Sequence, residues 1–544
     1  MSQLFSSRQM DTPKMPAKEL SDEMVQLRTI GGELMSPDDA TLERLGKKPV
    51  LRRSFGFVTI LGFSCTVLIT WEATLFVFLS GLQNGGPSGI IYGYILVWAG
   101  MLSTFTTLGE LCSMAPTSGG QYHYVAMLSP PGAQKLLSYL TGWLTLTGWQ
   151  ALTASGGLLT GSMTQSVVLL THPEYRENMR DWQATLMLWA GVALSYGINT
   201  SFNKLFVRFE GFAFIIHILG FFGVILPLVL LSNNHVSTEE VFETFSNLGG
   251  WPTQGLSFCI GIMGTVFSFL GGDGAIHLAE EIENAALVLP RSLIGTLLIN
   301  GALGFAMLIA TLYCMGDINA ALEEDSNFPF VAILRRATGS TAGAAAMVSV
   351  VIVMTFIAAT GCLTSTSRVL FALARDRAVP GWRVLKKTSP RTTIPRYAVL
   401  AAAVIAALLS LINAGNSIAF DGVISISVAG VLGSYLIAAT LLLWRRLTGG
   451  IGQRRDDISK TNTIGTDLTW GPWHVRGILG VMNNVFTCAY LFFIFFFSFW
   501  PVQTPVTPQN MNWGVLVTGA VIIFSIVYYF VWARKVYHGP IIEV

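Results

Sequence analysis

The chain alternates between long, nearly uncharged apolar runs and short polar connections. A helix needs about 20 consecutive apolar residues to cross the hydrocarbon core of a bilayer, because its backbone polar groups must bond to one another there. Twelve runs approach or exceed this length, which predicts twelve membrane-spanning helices. The runs cover residues 55–82, 89–111, 136–170, 182–200, 211–231, 256–279, 292–315, 342–374, 397–412, 418–444, 478–500 and 513–532.

The runs favour helices over a transmembrane barrel. Barrel strands have about 10 residues of alternating polarity, whereas these runs are longer and continuously apolar. The predicted fold class is therefore an all-α integral membrane protein. Residues 1–53 lack the early apolar region of a signal peptide and are expected to form a polar cytosolic tail. The remaining predicted parts are a helical membrane core at 54–444, a cytosolic loop at 445–477, two helices within 478–534 and a cytosolic tail at 535–544.

Composition agrees with a chain that is mostly surrounded by lipid. Hydrophobic residues make up 52% and charged residues 12%, against about 25% charged in a soluble domain. The formal net charge of +2 gives no reason to expect nucleic acid, so the expected partners are a small-molecule substrate and the lipid bilayer. The six cysteines show no CxxC spacing, so neither a disulfide nor a metal site is expected. The sequence leaves the oligomeric state open.

Basic residues predict the orientation in the membrane. If the N-terminus is cytosolic, all but four of the 33 Lys and Arg residues fall on the cytosolic side. The positive-inside rule then places both termini in the cytosol and supports an even number of helices. The plasma membrane is the expected location.

The sixth run contains a candidate break. Residues 267–274 read Phe-Ser-Phe-Leu-Gly-Gly-Asp-Gly, which places three glycines and the carboxylate of Asp273 within an apolar segment. Glycine inside a helix costs about 1 kcal/mol relative to alanine, and an ionisable group at membrane depth costs several more. Transporters often hold substrate at such discontinuous helices. The alternative is a kink for close helix packing, with Asp273 at the water interface.

The first run contains a second candidate break at Thr70, Trp71 and Glu72. Glu72 is a lone carboxylate in an otherwise uncharged span, so it should face the bundle interior. The alternative is a structural hydrogen bond to a neighbouring helix. Breaks in the first and sixth helices have the spacing expected of two inverted five-helix halves.

Polar motifs lie at consistent spacing in several helices, at residues 84–87 (Asn-Gly-Gly-Pro), 108–122, 140–143 (Leu-Thr-Gly-Trp), 277–284 with 290–291, and 367–380. Together they resemble the amino acid–polyamine–organocation superfamily, and within it the amino acid/choline transporter family with its fungal permeases for choline, 4-aminobutyrate and related amino acids. The resemblance covers about residues 50–535.

The resemblance implies a leucine-transporter-type fold, with two inverted five-helix repeats and helices eleven and twelve outside them. It implies breaks near residues 69–74 and 267–274. It also implies a secondary active permease that works by alternating access on an amino acid, 4-aminobutyrate, choline or a related metabolite. In that family the positions of Glu280 and Glu281 lie where the sixth helix reaches the cytosol, so both are expected to be gate or interface residues.

One mid-membrane pocket is the expected substrate site. Many relatives bind a substrate carboxylate on a glycine-rich first-helix break, whereas the carboxylate of Glu72 would repel one and favours a cationic group or a protonation role. Aromatic rings beside a carboxylate also suit an ammonium group. The pocket is expected to be lined by Thr70, Trp71, Glu72, Phe267, Ser268, Gly271, Gly272 and Asp273, with Trp149 as a further wall.

His217 is the expected proton carrier. It lies inside the fifth run, where a group that titrates near neutral pH can change its charge at low cost. By resemblance, this part of the fifth helix faces the place where sodium-coupled relatives hold their ion. Transport is therefore expected to use a proton gradient and no cofactor. The alternative is a neutral histidine that bonds to a neighbouring helix, and a small shift in register would bring Thr360 or Thr364 into an ion site.

The chain lacks the sequence motifs of several other functions. No phosphate-binding loop, HExxH or GxSxG motif is present, which argues against ATP-driven transport and against an enzyme. No repeated filter loop or charged ring indicates a channel. A nutrient sensor that binds without transporting and an exporter of a nitrogen-containing metabolite remain as alternatives.

Overall fold

The protein is almost entirely helical. The computed structural model describes residues 28–30, 33–51, 53–201, 203–233, 235–316, 328–390, 392–411, 419–453 and 460–542. A short antiparallel hairpin pairs β1 (Arg28–Ile30) with β2 (Glu33–Met35). The helices are α1 (Pro37–Arg44), α2 (Phe57–Leu68), α3 (Thr70–Met114), α4 (Gln121–Leu128), α5 (Gln134–Thr171), α6 (Asp181–Ser201), α7 (Asn203–Leu231), α8 (Thr238–Glu243), α9 (Gln254–Gly261), α10 (Met263–Phe267), α11 (Gly274–His277), α12 (Ala285–Cys314), α13 (Pro329–Thr338), α14 (Thr341–Arg375), α15 (Trp382–Leu385), α16 (Arg396–Leu409), α17 (Ala419–Leu447), α18 (Gly477–Phe497) and α19 (Gly514–Val531).

Each of the twelve predicted runs overlaps at least one helix of the described residues. Among the described residues, seven helical segments are long and apolar enough to cross a membrane, and Gln254–Phe267 and Arg396–Leu409 are shorter apolar helices. One of the seven, Phe57–Met114, has 58 residues and contains the first two runs. It bends at Gly86, whose φ of 68° lies in the left-handed region, just before Pro87. The prediction of an all-α, multi-pass membrane protein is confirmed.

The first span is interrupted at Ile69, between α2 and α3. Ile69 has φ 38° and ψ 47°, a left-handed conformation that costs a β-branched residue about 1–3 kcal/mol. Its N–H bonds to the carbonyl of Cys65 at 3.0 Å, and its carbonyl accepts from the N–H of Ala73 at 2.8 Å. The first helix is therefore broken within the implied region, at a strained position.

The sixth span is interrupted between α10 and α11. Residues 268–273 leave the helix, and Gly271 adopts φ 108°, a conformation that L-residues rarely adopt. A Cβ at Gly271 would lie 3.2 Å from the carbonyl oxygen of Val67. The hydroxyl of Ser64 donates to the carbonyl of Gly272 at 3.1 Å. The two broken helices therefore touch each other through backbone groups.

Small residues allow the core helices to approach closely. The helix α5 packs against α14 and α17, while α3 packs against α12. Where α5 meets α17, a Cβ on Gly430 would lie 2.6 Å from the backbone nitrogen of Gly148. Such contacts bring helix backbones together in the absence of a hydrophobic driving force between helices.

The two ends of the described chain meet on one face of the bundle, here called the terminal face. Asp376, at the end of α14, accepts hydrogen bonds from Lys47 Nζ at 3.1 Å and from the N–H of Ile541 at 3.0 Å. Its second oxygen accepts from the hydroxyl of Tyr122 at 2.7 Å. Lys47 and Asp376 are buried. Part of the predicted tail 1–53 thus packs on the bundle, while residues 1–27, 31, 32 and 52 lie outside the described residues.

Candidate functional site

A cavity of about 330 Å³ lies on the face opposite the terminal face. Phe76 and Val77 of the first span and Met263 and Gly264 of the sixth line its inner part. Phe76 lies one helical turn beyond Glu72 in the chain, so the cavity ends close to both breaks. None of the residues predicted to bind substrate lines it.

Beneath the cavity, Glu72, His217 and Asn300 form a buried hydrogen-bonded chain. Nδ1 of His217 lies 2.8 Å from Oε1 of Glu72, and Nε2 lies 2.7 Å from Oδ1 of Asn300. All three side chains are fully buried. Three helices supply them, because Glu72 belongs to α3, His217 to α7 and Asn300 to α12. The sequence predicted the first two residues but missed Asn300.

The orientation of Asn300 indicates which atoms carry hydrogen. Its amide N–H bonds to the carbonyl of Cys65 at 3.0 Å, so its oxygen faces His217 Nε2, which must be a donor. On the other side of the ring, Nδ1 and Glu72 share one hydrogen. This gives either an imidazolium–carboxylate pair or a neutral imidazole beside a carboxylic acid. Loss of that hydrogen would leave a lone pair facing a buried carboxylate, so the short contact requires one hydrogen between the two groups.

Trp71 and Thr70 face the same neighbouring helices as Glu72. The ring of Trp71 lies 6.0 Å from the ring of His217 and 6.1 Å from that of Phe221, between centroids. The methyl group of Thr70 lies 2.8 Å from the position of a Cβ on Gly304 of α12. These side chains therefore surround the buried chain rather than the sixth-helix break.

The sixth-helix break has its own cluster of polar groups. Oδ2 of Asp273 accepts a hydrogen bond from Gln121 at 3.2 Å and lies 3.8 Å from Nε2 of His277. The ring of Trp149 meets that of His277 edge-on at 5.5 Å between centroids. Among the described residues, Oδ1 of Asp273 and the indole nitrogen of Trp149 have no hydrogen-bond partner. The structure therefore brings Trp149 and Asp273 into one cluster around His277.

Phe267 and Ser268 begin the break on the cavity side. Phe267 is 8% exposed and lies one turn beyond Met263, which lines the cavity. The hydroxyl of Ser268 donates to the carbonyl of Thr265 at 2.7 Å and is thereby occupied within its own helix. Gly271 and Gly272 contribute backbone that contacts the first span. The predicted pocket residues therefore form two adjacent clusters, one on each broken helix.

The conformation of Ile69 accounts for this separation. A continuous first helix would direct residues 70–72 by regular helical rotation, whereas the left-handed turn at Ile69 redirects α3. As a result Glu72 points at His217 on α7, while Ser64 and Val67 of α2 contact the sixth-helix break. This turn carries no glycine, so the residues predicted a break near Glu72 and the resemblance implied one at 69–74, but neither indicated a left-handed turn at Ile69.

Gly271 offers a direct test of the break. Gly271→Ala should lower the unfolding temperature of the purified protein, because alanine at this φ costs about 1–3 kcal/mol. Gly223→Ala is the matched control, since no atom lies within 4 Å of its Cβ position on α7. Thermal unfolding in detergent measures both variants. Equal unfolding temperatures would show that the break tolerates a side chain at Gly271.

Glu280 and Glu281 form ion pairs on the terminal face, beyond the sixth span. Glu280 accepts from both terminal nitrogens of Arg375 at 3.0 and 2.9 Å, and Glu281 accepts from Nε of Arg368 at 2.8 Å. Burial alone would raise the pKa of Glu280. The charge and hydrogen bonds of Arg375 outweigh burial and lower this pKa to about 2. Both pairs join the sixth helix to α14 and lie where a gate was expected.

Two broken helices beside a buried ionisable chain, open on one face and held by ion pairs on the other, are typical of a secondary transporter. The sequence profile of the amino acid permease family matches residues 55–521. The chain is 28% identical to the choline transporter of Saccharomyces cerevisiae, covering 90% of this chain and 83% of that protein. It is 26% identical to amino-acid permease 2 of Neurospora crassa, covering 92% of this chain and 89% of that protein. The chain belongs to the amino acid permease family and is a transporter rather than an enzyme.

Proposed function

We propose that this permease carries a small amino-bearing or cationic metabolite, such as an amino acid, 4-aminobutyrate or choline, and couples its movement to protons. The observation that carries the proposal is the buried hydrogen-bonded chain of Glu72, His217 and Asn300 beside the broken first helix. The cavity ends one turn from both breaks, so substrate would reach them from the face opposite the terminal face.

The proposed substrate group is an ammonium held near the sixth-helix break. Oδ1 of Asp273 makes no well-aligned hydrogen bond among the described residues, the hydroxyl of Tyr435 neighbours this carboxylate, and the ring of Trp149 lies beside the same segment. A carboxylate next to aromatic faces attracts a primary or quaternary ammonium. The names of the relatives include a choline transporter and an amino-acid permease, which fits a substrate with a cationic nitrogen. Glu72 is then the proton partner of His217, beside the substrate rather than bonded to it.

The eighth helix supports protons over sodium as the coupling ion. The hydroxyl of Thr360 pairs with that of Ser195 at 2.8 Å, and the hydroxyl of Thr364 donates to Asn199 at 2.6 Å. Both partners lie on α6, so these two hydroxyls face the fourth helix. At the same level Gly361 contacts Val67 of the first helix and offers no side-chain oxygen. A sodium site would need several oxygen ligands between the first and eighth helices.

The terminal face is proposed to be the cytosolic face of a plasma-membrane protein. All but four of the 33 Lys and Arg residues lie on that side if the N-terminus is cytosolic. The ion pairs of Glu280 and Glu281 would then form the cytosolic gate. On this assignment the structure is open to the outside and closed to the cytosol, the state in which an importer collects substrate.

Uptake measurements test this function. Cells that lack their own permeases and express this chain should accumulate at least one member of a labelled panel of choline, 4-aminobutyrate, amino acids and polyamines. Purified protein in liposomes should also exchange that compound in counterflow. Binding without counterflow would identify a sensor instead, and accumulation that needs sodium rather than a pH gradient would contradict proton coupling.

A further inference from the structure

Glu210 is a second buried carboxylate on the fifth helix. It lies on α7 and is fully buried. Oε2 accepts a hydrogen bond from the hydroxyl of Thr66 at 2.9 Å, and Oε1 has no partner among the described residues. An isolated buried carboxylate is costly unless it binds a cation or a proton. Glu210 is not part of the buried chain of Glu72, His217 and Asn300, so that chain does not explain why a carboxylate is buried here.

The surroundings of Thr66 fit two protonation states of Glu210. The hydroxyl of Thr66 lies within hydrogen-bond distance of three acceptors, namely Glu210 Oε2, the carbonyl of Gly62 at 3.0 Å and that of Phe63 at 3.1 Å. A hydroxyl has only one hydrogen to donate. With Glu210 ionised, Thr66 donates to the carboxylate. With Glu210 protonated, the acid donates to Thr66, which turns its own hydrogen to a carbonyl.

Glu210 and His217 occupy one face of the same helix. Seven residues separate them, which is two turns and about 10 Å along the axis. Their partners Thr66 and Glu72 stand on either side of the strained turn at Ile69 in the first helix. Glu210 lies nearer the terminal face than His217. The two groups therefore mark successive levels along the contact between the first and fifth helices.

No charged side chain of the described residues is bonded to Glu210. On α2, Cys65 turns its thiol to Thr296 of α12 at 3.8 Å. On α14, Arg368 and Arg375 are paired with Glu281 and Glu280. The charged residues Arg335 and Arg336 of α13 are exposed. Two polar side chains on other helices packed against α7 are bonded elsewhere: Asn199 of α6 to Thr364, and Asn300 of α12 to His217.

We propose that Glu210 is the second proton-carrying residue of the pathway, and receives the proton of the Glu72–His217 pair on its way to the terminal face. This inference rests on the proposed proton coupling. The proton shared by Nδ1 of His217 and Glu72 passes to water, which carries it over about 10 Å to the carboxylate of Glu210, and Glu210 becomes a carboxylic acid. Glu210 then releases it to water on the terminal side and returns to the carboxylate. No other bond is made or broken.

Infrared titration of the purified full-length protein tests the residue without a substrate. The wild type should show a carboxylic-acid band that rises as pH falls, and Glu210→Gln should lack that component. Glu239→Gln is the control, because Glu239 is exposed on α8 and its removal leaves the buried carboxyl groups in place. Identical titrations of wild type and Glu210→Gln would overturn the proposal. Glu210→Asp keeps the carboxyl group and should retain a titrating band. This variant shows whether a band lost in Glu210→Gln reflects the missing carboxyl group rather than a misfolded protein.

Transport in liposomes tests the role. For whichever panel compound the wild type carries, Glu210→Gln should lower accumulation driven by a pH gradient by about tenfold or more. Counterflow, which needs no net proton movement, should stay within about twofold of the wild type. Full accumulation by the variant overturns the proposal. Accumulation by the wild type without a pH gradient overturns the proposed coupling instead, and the infrared result then still decides whether Glu210 takes up a proton.

Discussion

His217→Asn should reduce proton-driven accumulation of substrate by about 100-fold or more, the scale expected when a positioned proton-transfer group is lost. Asparagine can still bond to Glu72 and Asn300, so the helix contacts made by His217 are largely replaced. It cannot bind a proton at neutral pH. Glu72→Gln should have a similar effect, because the glutamine oxygen can accept a hydrogen bond from Nδ1 but cannot take up its proton. Accumulation in liposomes under an imposed pH gradient measures both variants.

The matched control is His172→Asn, since His172 is exposed at the end of α5. It should behave as the wild type. Uptake is best recorded across pH with and without a sodium gradient. A His217→Asn protein that kept the full pH dependence would remove His217 from the coupling mechanism, and counterflow by the same protein would establish that it is folded.

Arg375→Met should produce the largest loss of stability. Removing one partner of a buried ion pair costs about 3–5 kcal/mol, because the other charge stays buried without compensation. Here that charge is Glu280, which also accepts a hydrogen bond from the hydroxyl of Ser118 at 2.7 Å. Thermal unfolding in detergent should show a clearly lower transition temperature. The double variant Glu280→Gln with Arg375→Met should recover part of the loss, and no recovery would argue against this pairwise explanation.

The same variant should also open the terminal face. Cys362 is buried on α14, one residue after Gly361, which contacts Val67 of the first helix. If the ion pairs form a gate, Arg375→Met should raise the rate at which thiol reagents modify Cys362 from the terminal side. Adding Cys362→Ala identifies the modified thiol. An unchanged rate would mean that Arg375 contributes stability without gating.

The low pKa of Glu280 means that the proposed gate should not respond to pH in the range where the proposed coupling site works. For a carboxylate with a lowered pKa, the stabilisation is present above the ordinary pKa and is lost as pH falls through the folded value, about 2 here. The ion pair with Arg375 therefore stays intact between pH 5 and pH 8. A change in transport across that range has to come from another group, and His217 is the proposed one.

The apolar pattern predicted the helices because burial in lipid requires long apolar runs, and that requirement acts locally along the chain. The sixth-helix break was also predictable, since Gly271, Gly272 and Asp273 are costly in an uninterrupted helix. The first-helix break depends on Ile69, a residue that rarely adopts a left-handed conformation. Packing across the bundle imposes that conformation, and a single sequence does not show it.

The partners of the candidate residues depended on the tertiary structure as well. Asn300 looks like an ordinary polar residue of the seventh helix until α12 brings it to His217. Glu210 stands just outside the apolar run that begins at residue 211, so the boundary of the run separated it from the membrane. A lone carboxylate two turns from His217 was a usable signal. No sequence signal indicated the contacts of Asp376, because its partners come from distant parts of the chain.

The meeting of distant segments at Asp376 sets an order of events during synthesis. The N–H of Ile541 is made 165 residues after Asp376. At about 5–20 residues per second, roughly 10–30 s pass between the two. Lys47 and Tyr122 are already available in that interval, whereas the third hydrogen-bond donor is not. A nascent chain arrested in this window carries a carboxylate at the end of α14 that lacks one of its three hydrogen bonds.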